Sequence, residues 1–293
     1  MTAEQATTPP PTAIGSAPFR ALCTLTDEAD GTYGAVIDPI WTIGQKVHGG
    51  AMLAICAAAA RRRLREGEDE AVMLQPIAVS VDYLGAPEPG AVTLAVNVRK
   101  RGRQICLVDV ELSQNGRTAV RAAVTLGQLD LEPPLHQLDA LTDMPAEPPA
   151  DALRYDGGSP LGKIVNVAKG IELRLDPTAA KFVTGEVGEP VLQLWARPFA
   201  EDESDPDIAL LFAMMVGDIS PPVVFNRGMF GWAPTVQLTT YLQRVPAPGW
   251  LRVISSSKSI GAKVFDEDHL IIDSTGAVVV QSRQLALIGR SAR

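Results

Sequence analysis

Histidine, cysteine and aromatic residues are scarce in this 293-residue chain: 3 His, 3 Cys and 5% aromatics. Cys23, Cys56 and Cys106 are odd in number and widely spaced, which excludes a disulfide-stapled fold and offers no zinc-type spacing. They fit buried thiols in a reducing cytoplasm, the expected location. With only His48, His136 and His269, and no Gly-x-Ser-x-Gly, nucleophilic Ser-His-Asp hydrolysis is disfavoured. A Gly-rich phosphate loop is also missing, so neither a metal nor a separate cofactor is expected. No run approaches ~20 apolar residues, which argues against a membrane-spanning helix. Positive charge is short as well: the net charge of -8 argues against a nucleic-acid partner.

What is present is an ordinary globular composition, 46% hydrophobic and 20% charged. Residues 1–18 are rich in Thr, Pro and Ala, without a basic start or apolar core, and read as a disordered lead. The chain then repeats itself. Tyr83-Leu84, Pro87-Glu88-Pro89-Gly90 and Asn115-Gly116 are echoed by Tyr241-Leu242, Pro246-Ala247-Pro248-Gly249 and Ser274-Thr275-Gly276. The offsets are 241 − 83 = 158, 249 − 90 = 159 and 276 − 116 = 160. So long a period indicates a duplicated domain, since solenoid repeats run to roughly 20 to 50 residues.

Each copy offers one apolar helix among alternating strands. In the first, Val47-His48-Gly49-Gly50 leads into Ala51 to Ala60, nearly all apolar helix formers, followed by Arg61, Arg62, Arg63 and Arg65. Such a helix is buried on all sides, and cations favour its C-terminal end. Ala21 to Ile40 reads as a strand pair, and Gln75 to Leu129 as three alternating runs, with Asn115-Gly116 as a hairpin signal. A Pro-rich linker spans 130–159 between a first repeat at 19–129 and a second at 160–293. In the second repeat Ile164 to Leu175, Val191 to Ala196, Thr235 to Gln243, Leu251 to Ser257, His269 to Asp273 and Ala277 to Ile288 read as strands. Ile208 to Val216 reads as the helix, stopped by Pro221-Pro222. The pattern alone gives an α+β fold with helix on antiparallel sheet.

Three segments of the second half carry a resemblance. Ala213-Met214-Met215-Val216-Gly217-Asp218 ends the helix, Thr235-Val236-Gln237 opens a strand, and Gln281-Ser282-Arg283-Gln284 lies in the last strand. This ordered set resembles the C-terminal half of the type II acyl-CoA thioesterases, which are double hotdogs: tandem repeats, each a long central helix wrapped by an antiparallel sheet. The resemblance implies that Asp218, Thr235 and Gln284 position and activate a hydrolytic water. One departure is Gln237, where the family often has Asp. Carrying the offset back places Asp218 on Ala57 to Ala59, Thr235 near Ile77 and Gln284 near Val124, so the three polar residues belong to the second copy alone.

His48-Gly49-Gly50 resembles the His-Gly-Gly that opens the central helix of many single-hotdog thioesterases, where the glycines admit a thioester carbonyl to backbone N–H groups. Their acid nine residues on is Ala57 here, which favours a helix-start role for His48. Arg99, Lys100, Arg101 and Arg103 form a basic cluster that suits the phosphates of coenzyme A, although such runs are more often solvated hairpin tips. Hydrolysis of acyl-CoA to acid and CoA, the coenzyme being part of the substrate, is therefore the expected function. A non-catalytic acyl-CoA or fatty-acid binder is the alternative. An enoyl-CoA hydratase of this fold fits less well, because Asp218-Ile219-Ser220 lacks that family's Asp-x-Asn-x-x-His. A homo-oligomer, a dimer of double hotdogs, is the expected assembly.

Overall fold

The structure, a computed structural model, describes residues 15–66, 73–130, 132–138, 141–155 and 162–289. Helix α1 (Pro18–Leu22) and strands β1 (Thr26–Asp27) and β2 (Tyr33–Ile37) lead, past the small pair β3 (Thr42–Ile43) and β4 (Lys46–Val47), into the central helix α2 (Gly49–Arg65). Alanine's high helix propensity favours α2. Its first turn is capped by His48, whose Nδ1 accepts from the Ala51 N–H at 3.2 Å, and Arg62, Arg63 and Arg65 occupy its last turn. Strands β5 (Gln75–Tyr83), β6 (Gly90–Lys100), β7 (Ile105–Gln114) and β8 (Arg117–Gly127) wrap it. The Gln75 to Leu129 region thus holds four strands, not three, because the chain turns back between Lys100 and Ile105. Asn115 (φ 51°) and Gly116 (φ 73°) make the tight β7–β8 turn.

The second copy has β9 (Leu153–Arg154), β10 (Glu172–Leu175), β11 (Val191–Arg197), the short α3 (Ala200–Glu203) and the central α4 (Pro206–Val216). Asp205 caps α4 by accepting from the Asp207 N–H, and Pro206 sits in its first turn, where a missing N–H costs nothing. Strands β12 (Thr235–Leu242), β13 (Leu251–Ser256), β14 (Val264–Ile272) and β15 (Val278–Leu287) complete the copy. Ile164 to Leu175 is only partly extended: a 3₁₀ turn, Asn166–Lys169, precedes β10. The expected disordered lead falls largely on residues 1–14, outside the described residues, while Pro18 already begins α1. Within the Pro-rich linker, β9 pairs with β10, Met144 packs with Trp195 and Trp250, and the Trp195 indole N–H donates to the Pro145 carbonyl at 2.9 Å.

Among the described residues one 13-stranded sheet runs β1-β2-β6-β7-β8-β5-β12-β15-β14-β13-β11-β10-β9, and α2 and α4 pack on each other against it. Outward from the β5–β12 pair the two sides match strand for strand until β9, which has no counterpart beyond β1 among the described residues, and this is the double-hotdog plan. Ser80 stands opposite Thr239 in that antiparallel pair, their hydroxyls 3.0 Å apart. Ser80 plus 159 is Thr239, so a local two-fold axis passes between them. Both strands shift register at matching places, between Pro76 and Ala78 and between Thr235 and Gln237. Ladder by ladder, Thr235 therefore corresponds to Pro76 and Gln284 to Val124. The Tyr83–Tyr241 echo is one residue out of phase: Tyr83 lies on the inner side and Tyr241 is 51% exposed on the outer. Leu242 is the true counterpart of Tyr83.

Candidate active site

The C-terminal end of α4 meets the N-terminal start of α2, and the two repeats share a site there. Asp218 follows α4, and its Oδ2 accepts a hydrogen bond from the Gly50 N–H at 2.6 Å. Helix starts have unpaired N–H groups and a positive dipole end, so a carboxylate is favoured there. The approach needs glycine. A Cβ on Gly50 would lie 2.4 Å from the Met215 carbonyl oxygen, and one on Gly49 would lie 2.6 Å from Asp218 Oδ2 and 3.0 Å from the Tyr83 hydroxyl.

His48 ties the same corner. Its Nε2 lies 2.8 Å from the Asp218 carbonyl oxygen while its Nδ1 accepts from the Ala51 N–H. A carbonyl only accepts, so Nε2 carries the proton and the ring is neutral. Burial pushes the Asp218 carboxyl above the ordinary carboxylate range, against the opposing pull of His48, His269 and the Gly50 N–H. The side chain is 9% exposed, enough for a ligand's edge to reach it. Tyr83, its hydroxyl buried without a partner, is pushed well above the usual phenol range by burial and by the Asp218 charge. It remains a donor awaiting an acceptor.

Thr235 and Gln284 are brought together. The Thr235 hydroxyl donates to the Gln284 carboxamide oxygen at 2.6 Å, which leaves the amide N–H groups of Gln284 for a ligand. Val280, Ser282, Gln284 and Ala286 form the buried face of β15, and Gln281, Arg283 and Leu285 the exposed one. Gln237 lies on the outer side, exposed, and donates to Asp82 at 3.2 Å. The departure from the family pattern is thus turned away from the inner face.

Arg99, Arg101 and Arg103 stand elsewhere. Arg99 pairs with Asp109, and Arg101 donates to the Leu64 carbonyl at 3.4 Å, beside the C-terminal end of α2. At ~1.5 Å per residue that end is about 25 Å along the helix from His48. A groove of about 500 Å³ lined by Cys23, Ala58, Arg61, Arg62 and Arg65 lies at this same far end. Its arginines are engaged: Arg62 with Asp27, Arg61 and Arg65 with Asp207.

Beneath the α4 terminus the sheet carries a polar row that the sequence reading missed. Ser255, His269, Ser282 and Thr240 stand side by side on β13, β14, β15 and β12, all buried. The next row places Glu267 beside Gln284. Ser282 donates to the Gly217 carbonyl at 2.5 Å, and Ser220 to Glu267 at 2.6 Å. By the ladder registers the matching positions of the first repeat are Val96, Val110, Ala122 and Val81, with Val108 for Glu267 and Val124 for Gln284. Six polar residues face six apolar ones across the two-fold axis. The signal in the sequence was phase: the inward positions Phe265, Glu267, His269 and Ile271 bracket two polar residues between two apolar ones, a pattern hidden by the outward Asp266 and Asp268.

Comparison with known proteins agrees with this architecture. The family model of the acyl-CoA thioesterase N-terminal domain matches residues 37–127, and that of the C-terminal domain residues 138–288. An uncharacterized protein of Mycobacterium tuberculosis is 44% identical over 263 residues, covering 85% of this chain and 88% of its own. Among solved structures, a candidate thioesterase II from Thermobifida fusca is 26% identical, with a TM-score of 0.77 over 94% of this chain and 98% of that one. A protein with a hot dog fold from Alicyclobacillus acidocaldarius, 18% identical, reaches 0.75 over 94% and 98%.

Proposed function

Because the chain belongs to the acyl-CoA thioesterase family, we propose that it hydrolyses acyl-CoA thioesters to free acid and CoA, using a water held by Asp218, Thr235 and Gln284. A thioester has a good leaving group, a thiol of pKa ~8.5, so its departure needs little acid assistance. Attack by water does need an acceptor for its proton and donors for the developing oxyanion. Asp218 is the acceptor. The Gln284 amide and the Gly49 N–H, the first-turn donor of α2 used by neither Asp218 nor His48, are the donors. Coenzyme A enters only as part of the substrate.

The observation that carries this reading is the 2.6 Å bond from the Gly50 N–H to a carboxylate that still reaches solvent. It fixes an acid against a helix start whose glycines let it approach. The test is release of free thiol from a panel of acyl-CoAs. Asp218→Ala is expected to lower kcat by about 10² to 10⁴, the usual worth of general-base assistance. A folded Asp218→Ala variant working at the wild-type rate would sink the assignment.

One observation favours binding without turnover: Asp218 itself occupies the Gly50 N–H, which a thioester carbonyl would otherwise reach. Calorimetric binding of acyl-CoA with no thiol released across chain lengths would establish that second reading.

A further inference from the structure

We infer that His269 is a second proton acceptor of this site, taking a proton of the attacking water on Nδ1 while Ser220 and Glu267 hold its Nε2. The inference rests on the hydrolytic reading above and adds to it a residue that the Asp218, Thr235 and Gln284 set does not contain. His269 is 3% exposed and projects from β14 to the inner face. Its Nε2 lies 3.0 Å from the Ser220 hydroxyl and 3.3 Å from Glu267 Oε1. Ser220 already donates its proton to Glu267. Nε2 must therefore be the donor to this pair, and Nδ1 is left with a bare lone pair.

That Nδ1 is buried and has no partner. An unpaired buried acceptor is destabilising unless something fills the place. Ser220 is two residues from Asp218 and its hydroxyl is 3.0 Å from the ring, so His269 lies under the α4 terminus that carries Asp218. The first repeat has Val110 and Val108 at the two positions. The fold therefore does not require the pair.

The arrangement also rules out Ser220 as a nucleophile. In a serine–histidine–acid relay, the serine and the acid use opposite ring nitrogens. Here both are on Nε2, and the opposite nitrogen is the one left open. A carboxylate on one nitrogen and an open lone pair on the other are the geometry of a general base, with Glu267 balancing the imidazolium that forms. The water would then give one hydrogen bond to Asp218 and the other to Nδ1. As its oxygen bonds to the acyl carbon, its proton moves to Nδ1, and Asp218, through the other hydrogen bond, orients the water in place of taking that proton. The tetrahedral intermediate then breaks the C–S bond, and the Nδ1 proton passes to the departing thiolate. Acid and thiol leave, and the ring is neutral again.

His269→Gln separates this role from a structural one. Glutamine's Nε2 can still donate toward Ser220 and Glu267, but nothing on it can take a proton at the Nδ1 place. The expected result is kcat lowered about 100-fold or more, KM within about threefold, an unchanged melting temperature and a flattened acid limb of the pH–rate profile. The charged or titratable groups around His269 are Glu267 on its own strand and Asp218 at the end of α4. His48 and Tyr83 lie behind Asp218. His269→Asn retains an acceptor near Nδ1 that cannot be protonated and should lose as much, while Glu267→Gln should lose about tenfold. If His269→Gln does not fold, these two variants decide. A folded His269→Gln or His269→Asn with wild-type kcat and pH profile overturns the role of His269 and leaves the hydrolytic reading standing. Absence of thiol release by the wild-type protein overturns both.

Discussion

Two glycines set how closely the two halves meet. Gly50 faces the backbone of the other repeat, and Gly49 faces the Asp218 carboxylate, so their alanine variants should fail differently. Gly50→Ala gains about 1 kcal/mol of helix propensity, but its methyl would overlap the Met215 carbonyl oxygen at 2.4 Å. The expected net loss is about 1–3 kcal/mol, read by denaturant unfolding. Gly49→Ala presses on side-chain atoms, so it should displace the carboxylate and reduce turnover more than stability. Asp218 carries a pH signature as well. Burial raises its folded-state pKa above the unfolded value, so the folded chain holds that proton more tightly. The resulting stability is present at low pH and is lost as pH rises through the folded pKa. Asp218→Asn keeps an oxygen for the Gly50 N–H without that loss. Its melting temperature should exceed wild type at neutral pH, and the gap should close on acidification. Asp218, Thr235 and Gln284 were legible as candidates because each stands at a motif position in order. Tyr83 was legible only as a repeat marker, because its hydroxyl acquires meaning from Asp218, which is distant in sequence.

At the scale of elements, the inner face of β12–β15 trades packing for polarity. Thr240 has a buried hydroxyl without a partner, and its counterpart Val81 has the same shape without the hydroxyl. Thr240→Val should therefore stabilise the protein by about 1 kcal/mol, measured as an increase in the denaturant midpoint. A decrease would mean that the hydroxyl is satisfied in solution. Helix α2 was legible because an all-apolar alanine run with a basic tail admits few other readings, and the β7–β8 turn because Asn-Gly supplies the φ > 0 pair it needs. The start of β14 was not. Asp266, Glu267, Asp268 and His269 read as a polar run, and only cross-strand partners show that alternate members are buried. Helix α1 was missed for its length, one turn being too short to leave a period.

The whole molecule depends on the β5–β12 seam. The seam removes what would be a long exposed edge from each repeat, and among the described residues the sheet ends instead on two-residue strands, β1 and β9. Exposed edges invite pairing with other chains. A second repeat expressed alone should therefore aggregate and release no thiol, since it lacks both β5 and the Gly50 N–H. Co-expression of the two halves should restore turnover and a single elution peak. Failure to restore it with both halves soluble would show that covalent linkage, not pairing, completes the site.

The axis between Ser80 and Thr239 has a consequence for what such a sheet can tolerate. In a symmetric pair of identical chains, each substitution is made at both ends. A histidine and a glutamate under one helix would stand under the other too, and both ends would bear the instability of buried charge. Joining the halves into one chain removes that obligation. Valine can remain at one end as ballast while the other end departs from good packing.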